Sequence, residues 1–246
     1  MANLEGRLGK GMNVQVIASV GEARTDELQN KTVIVIDVLR ATSTMLTALT
    51  NGSRSVVPTE TVAQAKSLQR PGDLLGGERS CKKIPGFDFG NSPFEYAPEA
   101  VKGKNIIMTT TNGTRAVQKS HKAAHILAGS LLNASSCAVK ALQLQKEIAL
   151  LCAGTHDVFS LEDGLCAGLL ADELVRLTGG GCEVNDLGLA MMHAYRQTHD
   201  RLPETILSCS NGKRLIRLGY KEDVLYCSQV NRIQAVPQFH DGAMVI

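Results

Sequence analysis

Thr32-Val33-Ile34-Val35-Ile36-Asp37-Val38-Leu39-Arg40-Ala41-Thr42-Ser43-Thr44-Met45-Leu46 is the stretch that decides the fold. Its first five residues are all β-branched, which predicts a strand buried on both faces. The run stops at Asp37. Beyond it Met45, Leu46 and Leu49 recur at helical spacing behind hydroxyl residues able to cap, and Asn51-Gly52 supplies a stop. The unit is therefore strand, loop, helix. Upstream, Asn13 to Ala18 alternates Val14, Val16 and Ile17 with polar neighbours, which predicts a further strand.

The same grammar returns twice. Asn105 to Met108 is followed by Thr109-Thr110-Thr111-Asn112-Gly113-Thr114 and a helix-like Arg115 to Ser120. Ile148 to Leu151 is followed by Cys152-Ala153-Gly154-Thr155, then by Ser160, whose spacing to Asp163 is that of a capping box, and by an apolar-periodic helix from Leu161 to about Leu177. Strands alternating with helices predict an α/β fold, layered α/β/α, with a mostly parallel or mixed sheet in one domain over residues 1–246. The likeness of the units around Asp37 and Glu162 suggests two related halves, about 13–130 and 131–246. Gly76 to Pro98 reads as a long irregular loop, Ser210 to Leu215 as a capped helix start and Val224 to Cys227 as a late strand.

At 246 residues, 43% of them apolar, the chain can bury a sizeable core. Twenty-six Lys and Arg against 24 Asp and Glu leave a charge of +2, spread rather than gathered into a basic block, which argues against a nucleic-acid partner. Apolar stretches are strand-length, far below the roughly 20 residues of a membrane span. Met1 to Gly11 lacks the apolar run of a secretory signal, so a cytoplasmic protein is expected. Seven cysteines, an odd number without C-x-x-C spacing, argue against a disulfide framework.

In an α/β sheet ligands collect beyond the carboxyl ends of the strands. Asp37 sits at such an end, placed either to hold Mg²⁺, which prefers oxygen ligands, or to cap the helix that follows. Arg40, Thr42 and Ser43 offer a guanidinium and hydroxyls at a helix N-terminus, a setting that favours anions. Thr110, Thr111, Asn112, Gly113 and Thr114 offer a second such turn with Arg115 beside it, or an ordinary helix cap. Glu78, Arg79, Asp88 and Asn91 lie in the long loop, where the acids read equally as turn residues. Glu162 and Asp163 are similarly divided between metal ligation and capping. No P-loop, dinucleotide fingerprint, H-E-x-x-H, G-x-S-x-G or C-x5-R loop is present, and Leu39 stands where a haloacid-dehalogenase pattern needs an acid.

In combination, Asp37 to Thr44, Gly77-Glu78-Arg79, Gly86-Phe87-Asp88 with Gly90 to Pro93, Thr110 to Thr114, Cys152-Ala153-Gly154 with Glu162-Asp163, and the closing Ser210, Gly212, Leu215 and Leu218-Gly219 resemble the 2-phosphosulfolactate phosphatase family. The resemblance covers roughly Asn13 to Pro237. Ser80-Cys81 stands where that family commonly has a glycine, and Asn231 where it commonly has an aspartate. Membership implies Mg²⁺-dependent hydrolysis of 2-phospho-3-sulfolactate to 3-sulfolactate and phosphate, a step in coenzyme M biosynthesis. On this basis Asp37, Glu78 and Asp163 are the catalytic candidates, and Asp37, Asp88, Glu162 and Asp163 the candidate metal ligands. Arg40, Thr42, Ser43 and Thr110 to Thr114 are expected on the phosphate, with Arg79, Asn91 and Arg115 on the carboxylate and sulfonate. Two alternatives are a phosphatase of another small phosphorylated hydroxy acid and a non-catalytic phosphate-binding regulatory domain. The partner expected is a small anionic phosphoester, with neither nucleic acid nor membrane; exposed Phe94 and Tyr96 leave room for a homodimer.

Overall fold

The computed structural model describes residues 11–246. The reading of Met1 to Gly11 as free of a signal falls almost wholly outside them. In chain order the elements are β1 (Met12–Ile17), β2 (Thr32–Ile36), α1 (Ala41–Thr50), β3 (Ser55–Thr59), α2 (Val62–Leu68), β4 (Leu74–Arg79), β5 (Lys82–Lys83), α3 (Pro98–Val101), β6 (Asn105–Thr109), α4 (Gly113–Lys119) and β7 (His125–Gly129). They continue with α5 (Ala134–Gln143), β8 (Ile148–Cys152), α6 (Leu161–Leu177), β9 (Cys182–Val184), α7 (Asp186–Thr198), α8 (Leu202–Ser208), α9 (Ser210–Arg217), α10 (Lys221–Cys227), β10 (Gln238–His240) and β11 (Ala243–Val245).

The strands form one mixed sheet in the order β5-β4-β6-β3-β11-β10-β7-β2-β8-β1-β9. Two parallel sets, β4-β6-β3 and β7-β2-β8-β1-β9, are joined by the antiparallel β10-β11 hairpin. Strands from 13–130 and 131–246 are thus interleaved: β8 lies between β2 and β1, and β10-β11 between β3 and β7. The β-branched run in β2 is wholly buried because strands flank it and helices cover both faces. One face packs Ile34, Ile36 and Leu150 against α5 and α6; the other packs Val33, Val35 and Leu151 against Met45 of α1 and Val117 of α4. This is the expected α/β/α layering. No helix among the described residues is long and apolar enough to cross a membrane.

Register places the site. Ile36 of β2 stands level with Gly129 of β7 and Cys152 of β8, so the loops after these three strands leave the sheet together.

Three local expectations need correction. Val224 to Cys227 belongs to helix α10, not a strand; Val224 and Cys227, three apart, are buried on one helical face behind Glu222 and Asp223 in the first turn. Four apolar-leaning residues are too few for periodicity to separate the two. The start of the supposed irregular loop, Gly76 to Arg79, lies in strand β4. Its glycines disguised it: a Cβ on Gly77, at φ +140°, would run into the Thr109 carbonyl of β6. Tyr96, read as exposed, is fully buried and its hydroxyl donates to the Gly90 carbonyl at 2.8 Å, while Phe94 alone is open.

Gly77→Ala is expected to cost about 2–3 kcal/mol, because it combines a strained backbone with overpacking against β6. Urea unfolding monitored by circular dichroism measures it; a loss below about 0.5 kcal/mol, the size of a neutral surface change, refutes the close-approach account.

Candidate active site

Asp37, the first residue past β2, is buried, and its Oδ1 accepts the amide of Ala41 at 3.1 Å while the amide of Gly113 also faces the carboxylate. It therefore sits between the N-termini of α1 and α4. The carboxylate caps α1, as one reading of the sequence expected, and also lines a cavity. Gly113 is required by this approach, since a Cβ there would stand 2.7 Å from Asp37 Oδ2. Burial, with the charges of Glu78 and Glu162 adding to it, pushes the Asp37 carboxyl up to about 7.

Glu78, at the end of β4, is held by three donors. Oε1 accepts the amide and hydroxyl of Thr111 at 2.8 and 2.9 Å, and Oε2 accepts the amide of Cys81 at 2.6 Å. Asp163 lies beneath the cavity and does not line it. Its Oδ1 accepts from the Val38 amide at 2.8 Å and its Oδ2 from the Gly154 amide at 3.0 Å. Burial, then the charges of Glu162 and Asp37, raise its pKa well above the usual carboxylate range. The expected Ser160 capping box is absent, because Asp163 serves these two loops and the Ser160 hydroxyl pairs with that of Thr155 at 2.9 Å. Glu162 accepts from Asn211 Nδ2 at 2.6 Å and from the Cys209 thiol at 3.1 Å, and faces an adjoining cavity that shares Thr155 and Asn211.

The cavity is lined by Asp37, Leu39, Arg40, Glu78, Ser80, Cys81, Asn91, Thr111, Asn112, Thr155, His156, Asn211 and Arg214. Arg40 is buried with its Nη1 2.5 Å from Asp223 Oδ2, its guanidinium 4.4 Å from the Tyr220 ring centre, and Ser92 Oγ donating to the other Asp223 oxygen at 3.0 Å. Asn91 is buried beside it with its Oδ1 unpartnered.

Several expected residues stand elsewhere. The hydroxyls of Thr42 and Ser43 donate to main-chain carbonyls, Gly129 at 2.7 Å and Val38 at 2.9 Å respectively, and neither residue lines the cavity. Thr110 and Thr114 bond each other reciprocally. Arg79 turns to the carbonyls of Glu78 and Glu60 at 2.9 and 2.7 Å, and Arg115 pairs with Asp157 at 3.3 Å on the surface. Asp88 accepts the Leu75 amide at 2.8 Å, holding the start of β4. The set Asp37, Asp88, Glu162 and Asp163 is therefore not assembled, and no three His, Cys, Asp or Glu side chains among the described residues form a metal-holding group. Asn231, the other departure from the resemblance, accepts the Ser135 amide at 2.8 Å at the start of α5, away from the cavity.

Known proteins match this chain along nearly its whole length. The family profile described as 2-phosphosulpholactate phosphatase matches residues 17–242. The chain belongs to the 2-phosphosulfolactate phosphatase family. Relatives named "Probable 2-phosphosulfolactate phosphatase" include one from Symbiobacterium thermophilum, 41% identical over 90% of this chain and 96% of its own length. Another, from Clostridium acetobutylicum, is 39% identical over 95% of this chain and all of its own. A third, from Caldanaerobacter subterraneus subsp. tengcongensis, is 40% identical over 94% of this chain and 97% of its own. Within this family frame, Arg214, His156, Asn211 and Asp223 are the residues that sequence reading left out. Only the Ser210 to Leu215 helix start, quoted for the resemblance, pointed toward Arg214 and Asn211.

Two measurements test the electrostatics. Folded Asp37 keeps its proton to about pH 7, whereas an unfolded aspartate loses it near about pH 4. Folding therefore binds a proton between those values, and stability falls as pH rises across that window. In chelator, Asp37→Asn is expected to exceed wild type at pH 8 by on the order of 2 kcal/mol, the gap closing toward about pH 4; a pH-independent gap overturns the assignment. Asp223→Ala leaves Arg40 buried without its counter-charge and is expected to cost about 3–5 kcal/mol. Asp223→Asn, which keeps an acceptor, is expected to cost less in the same urea titration.

Proposed function

We propose that this chain hydrolyses 2-phospho-3-sulfolactate to 3-sulfolactate and phosphate with Mg²⁺ as cofactor, acting in the cytoplasm as a step of coenzyme M biosynthesis. One observation supports it most: the carboxylates of Asp37 and Glu78 and the guanidinium of Arg40 converge on one small cavity, in a chain that falls within a family of that name. Acids and an arginine brought to one place by different loops suit a dianionic ester that needs both a cation and fixed donors.

The acids lining the cavity fit Mg²⁺. Both offer hard oxygen donors, and the proton that burial and like charge force onto Asp37 is one that a divalent cation would displace. Two carboxylates also leave the remaining coordination to water and phosphate oxygens, the usual arrangement for this ion. Bound there, Mg²⁺ would neutralise phosphoryl oxygens and supply Lewis acidity. Asp37 and Glu78 would hold it; Asp88 takes no part. Thr111 and Cys81 pre-orient Glu78 through their amides, so little reorganisation accompanies binding. Arg40, immobilised by Asp223 and Tyr220, donates to the phosphoryl group without first losing side-chain entropy. Asp163 positions the loops of Asp37 and Gly154 and touches no substrate.

Phosphate release from 2-phosphosulfolactate, phospholactate and phosphoglycolate, each with Mg²⁺ and with chelator, tests this reading. Turnover of the first, lost in chelator, is expected; turnover of only the others identifies a different hydroxy-acid phosphatase, and binding without turnover a regulatory domain. Asp37→Asn is expected to lower kcat/KM about a hundredfold or more. The Mg²⁺ concentration for half-maximal rate should also rise below pH 7, because the metal competes with the Asp37 proton; a half-maximal concentration unchanged from pH 8 to pH 5.5 overturns Asp37 as ligand.

A further inference from the structure

The two guanidiniums of the cavity differ in electrostatic standing. Arg40 is compensated, because Asp223 holds it at 2.5 Å in a buried pair. Arg214 lines the same cavity from α9, is half-buried, and makes no hydrogen bond or ion pair with any described residue. Its charge acts on the Cys81 thiol of the facing loop more strongly than that of Arg40 does, which places it toward the Ser80-Cys81 wall. The other arginines near the motifs are accounted for, Arg79 on carbonyls and Arg115 on Asp157. Among the described residues Arg214 is thus the one cavity arginine whose donors face open space.

The platform beneath it is rigid. Asn211, one helical turn earlier on α9, is tied to Glu162 at 2.6 Å and to Thr155 at 2.7 Å, and Gly212 donates to Cys209 Sγ at 3.3 Å. A guanidinium delivered by a fixed helix presents a planar fork suited to two oxygens of an anion. The proposed substrate carries three acidic groups. Its phosphoryl group belongs with Asp37, Glu78 and Arg40, and its carboxylate, on the carbon that bears the ester, stays close to that corner. The sulfonate, one carbon further on, is a very weak base and a poor metal ligand, so it depends on N–H donors.

We propose that Arg214 is the specificity-determining residue of this site, receiving the sulfonate and so separating sulfonated phosphoesters from phospholactate. The proposal rests on the phosphatase reading above. It makes Arg214 dispensable for a substrate that lacks the sulfonate.

Steady-state kinetics of wild type and Arg214→Gln with 2-phosphosulfolactate and with phospholactate test it. The variant is expected to raise KM for the sulfonated ester about tenfold to a hundredfold while leaving phospholactate within about twofold. Arg214→Lys, which keeps the charge without the fork, should recover part of the loss. Equal losses on both substrates, or none on either, overturn the proposal. Should wild type release phosphate from neither ester, the phosphatase reading fails and calorimetry decides the fate of Arg214. In that experiment 3-sulfolactate and lactate are titrated into both proteins with Mg²⁺. Tighter 3-sulfolactate binding that disappears in Arg214→Gln upholds the sulfonate contact, and equal 3-sulfolactate affinity in both proteins overturns it.

Discussion

The loops after β2 and β8 leave adjacent strands at the same level, and each turns a main-chain amide inward where no water can reach it. Asp163 answers both, one oxygen to Val38 and the other to Gly154. Leaving a buried amide unpaired costs about 1–3 kcal/mol, so this carboxylate fixes the path of two loops at once. The Val38 side of the bridge sets where Asp37 and Arg40 stand; the Gly154 side sets the turn through Thr155 and His156. The two walls of the cavity that come from the β2 and β8 loops meet through this single side chain, which itself never reaches the cavity.

The same bridge concentrates negative charge. Burial raises the pKa of Asp37 and of Asp163, the charges of Glu78 and Glu162 add to it at Asp37, and those of Glu162 and Asp37 add to it at Asp163. The amides of Ala41 and Gly113 counter part of this at Asp37, which is why that carboxyl reaches only about 7 rather than the range of a fully isolated buried acid. Arg40 gives little relief, since Asp223 already neutralises it at 2.5 Å. The folded chain therefore carries an unfavourable concentration of negative charge beside the cavity, the usual tension between a ligand-binding cavity and stability.

Much of the fold was legible because its signals are local. The β-branched run before Asp37, the hydroxyl-rich start of α1 and the apolar period of α6 each specify one element, and all three appear within a residue or so of expectation. What escaped was non-local. Gly76 and Gly77 look like loop residues until Thr109 of β6 stands beside them, and the amphipathic face of α10 is visible only against its neighbours. The place of Asp37 was legible because position after a strand is a sequence property, whereas Asp88, Glu162 and Asp163 lie outside the cavity lining, bonded to the Leu75 amide, Asn211 and the Gly154 amide. The site was only partly legible in its arginines, because partnership is not a sequence property: Arg40 lines the cavity, but Arg79 and Arg115, in or beside the quoted motifs, are spent on Glu60 and Asp157, while Arg214, which sequence reading did not single out, lines the cavity as well. The hydroxyls of Thr42 and Ser43 were misjudged for the same reason, since a helix-start hydroxyl serves a carbonyl as readily as a ligand.

Backbone conformation completes the cavity. Ser80 and Cys81, at φ 55° and 66°, and His156 and Asp157, at φ 51° and 61°, are two consecutive non-glycine pairs in the left-handed region, and each pair sends residues into the lining. Each such residue costs roughly 1–2 kcal/mol, so both turns need compensation. It comes from the functional side chains themselves. The amide of Cys81 donates to Glu78 at 2.6 Å, and that of His156 to Asn112 Oδ1 at 3.4 Å. A glycine at position 80 would adopt this turn without strain, whereas Ser80 holds it at φ 55°. The short bond to Glu78 holds the turn closed and, by the same contact, fixes a carboxylate in the cavity wall.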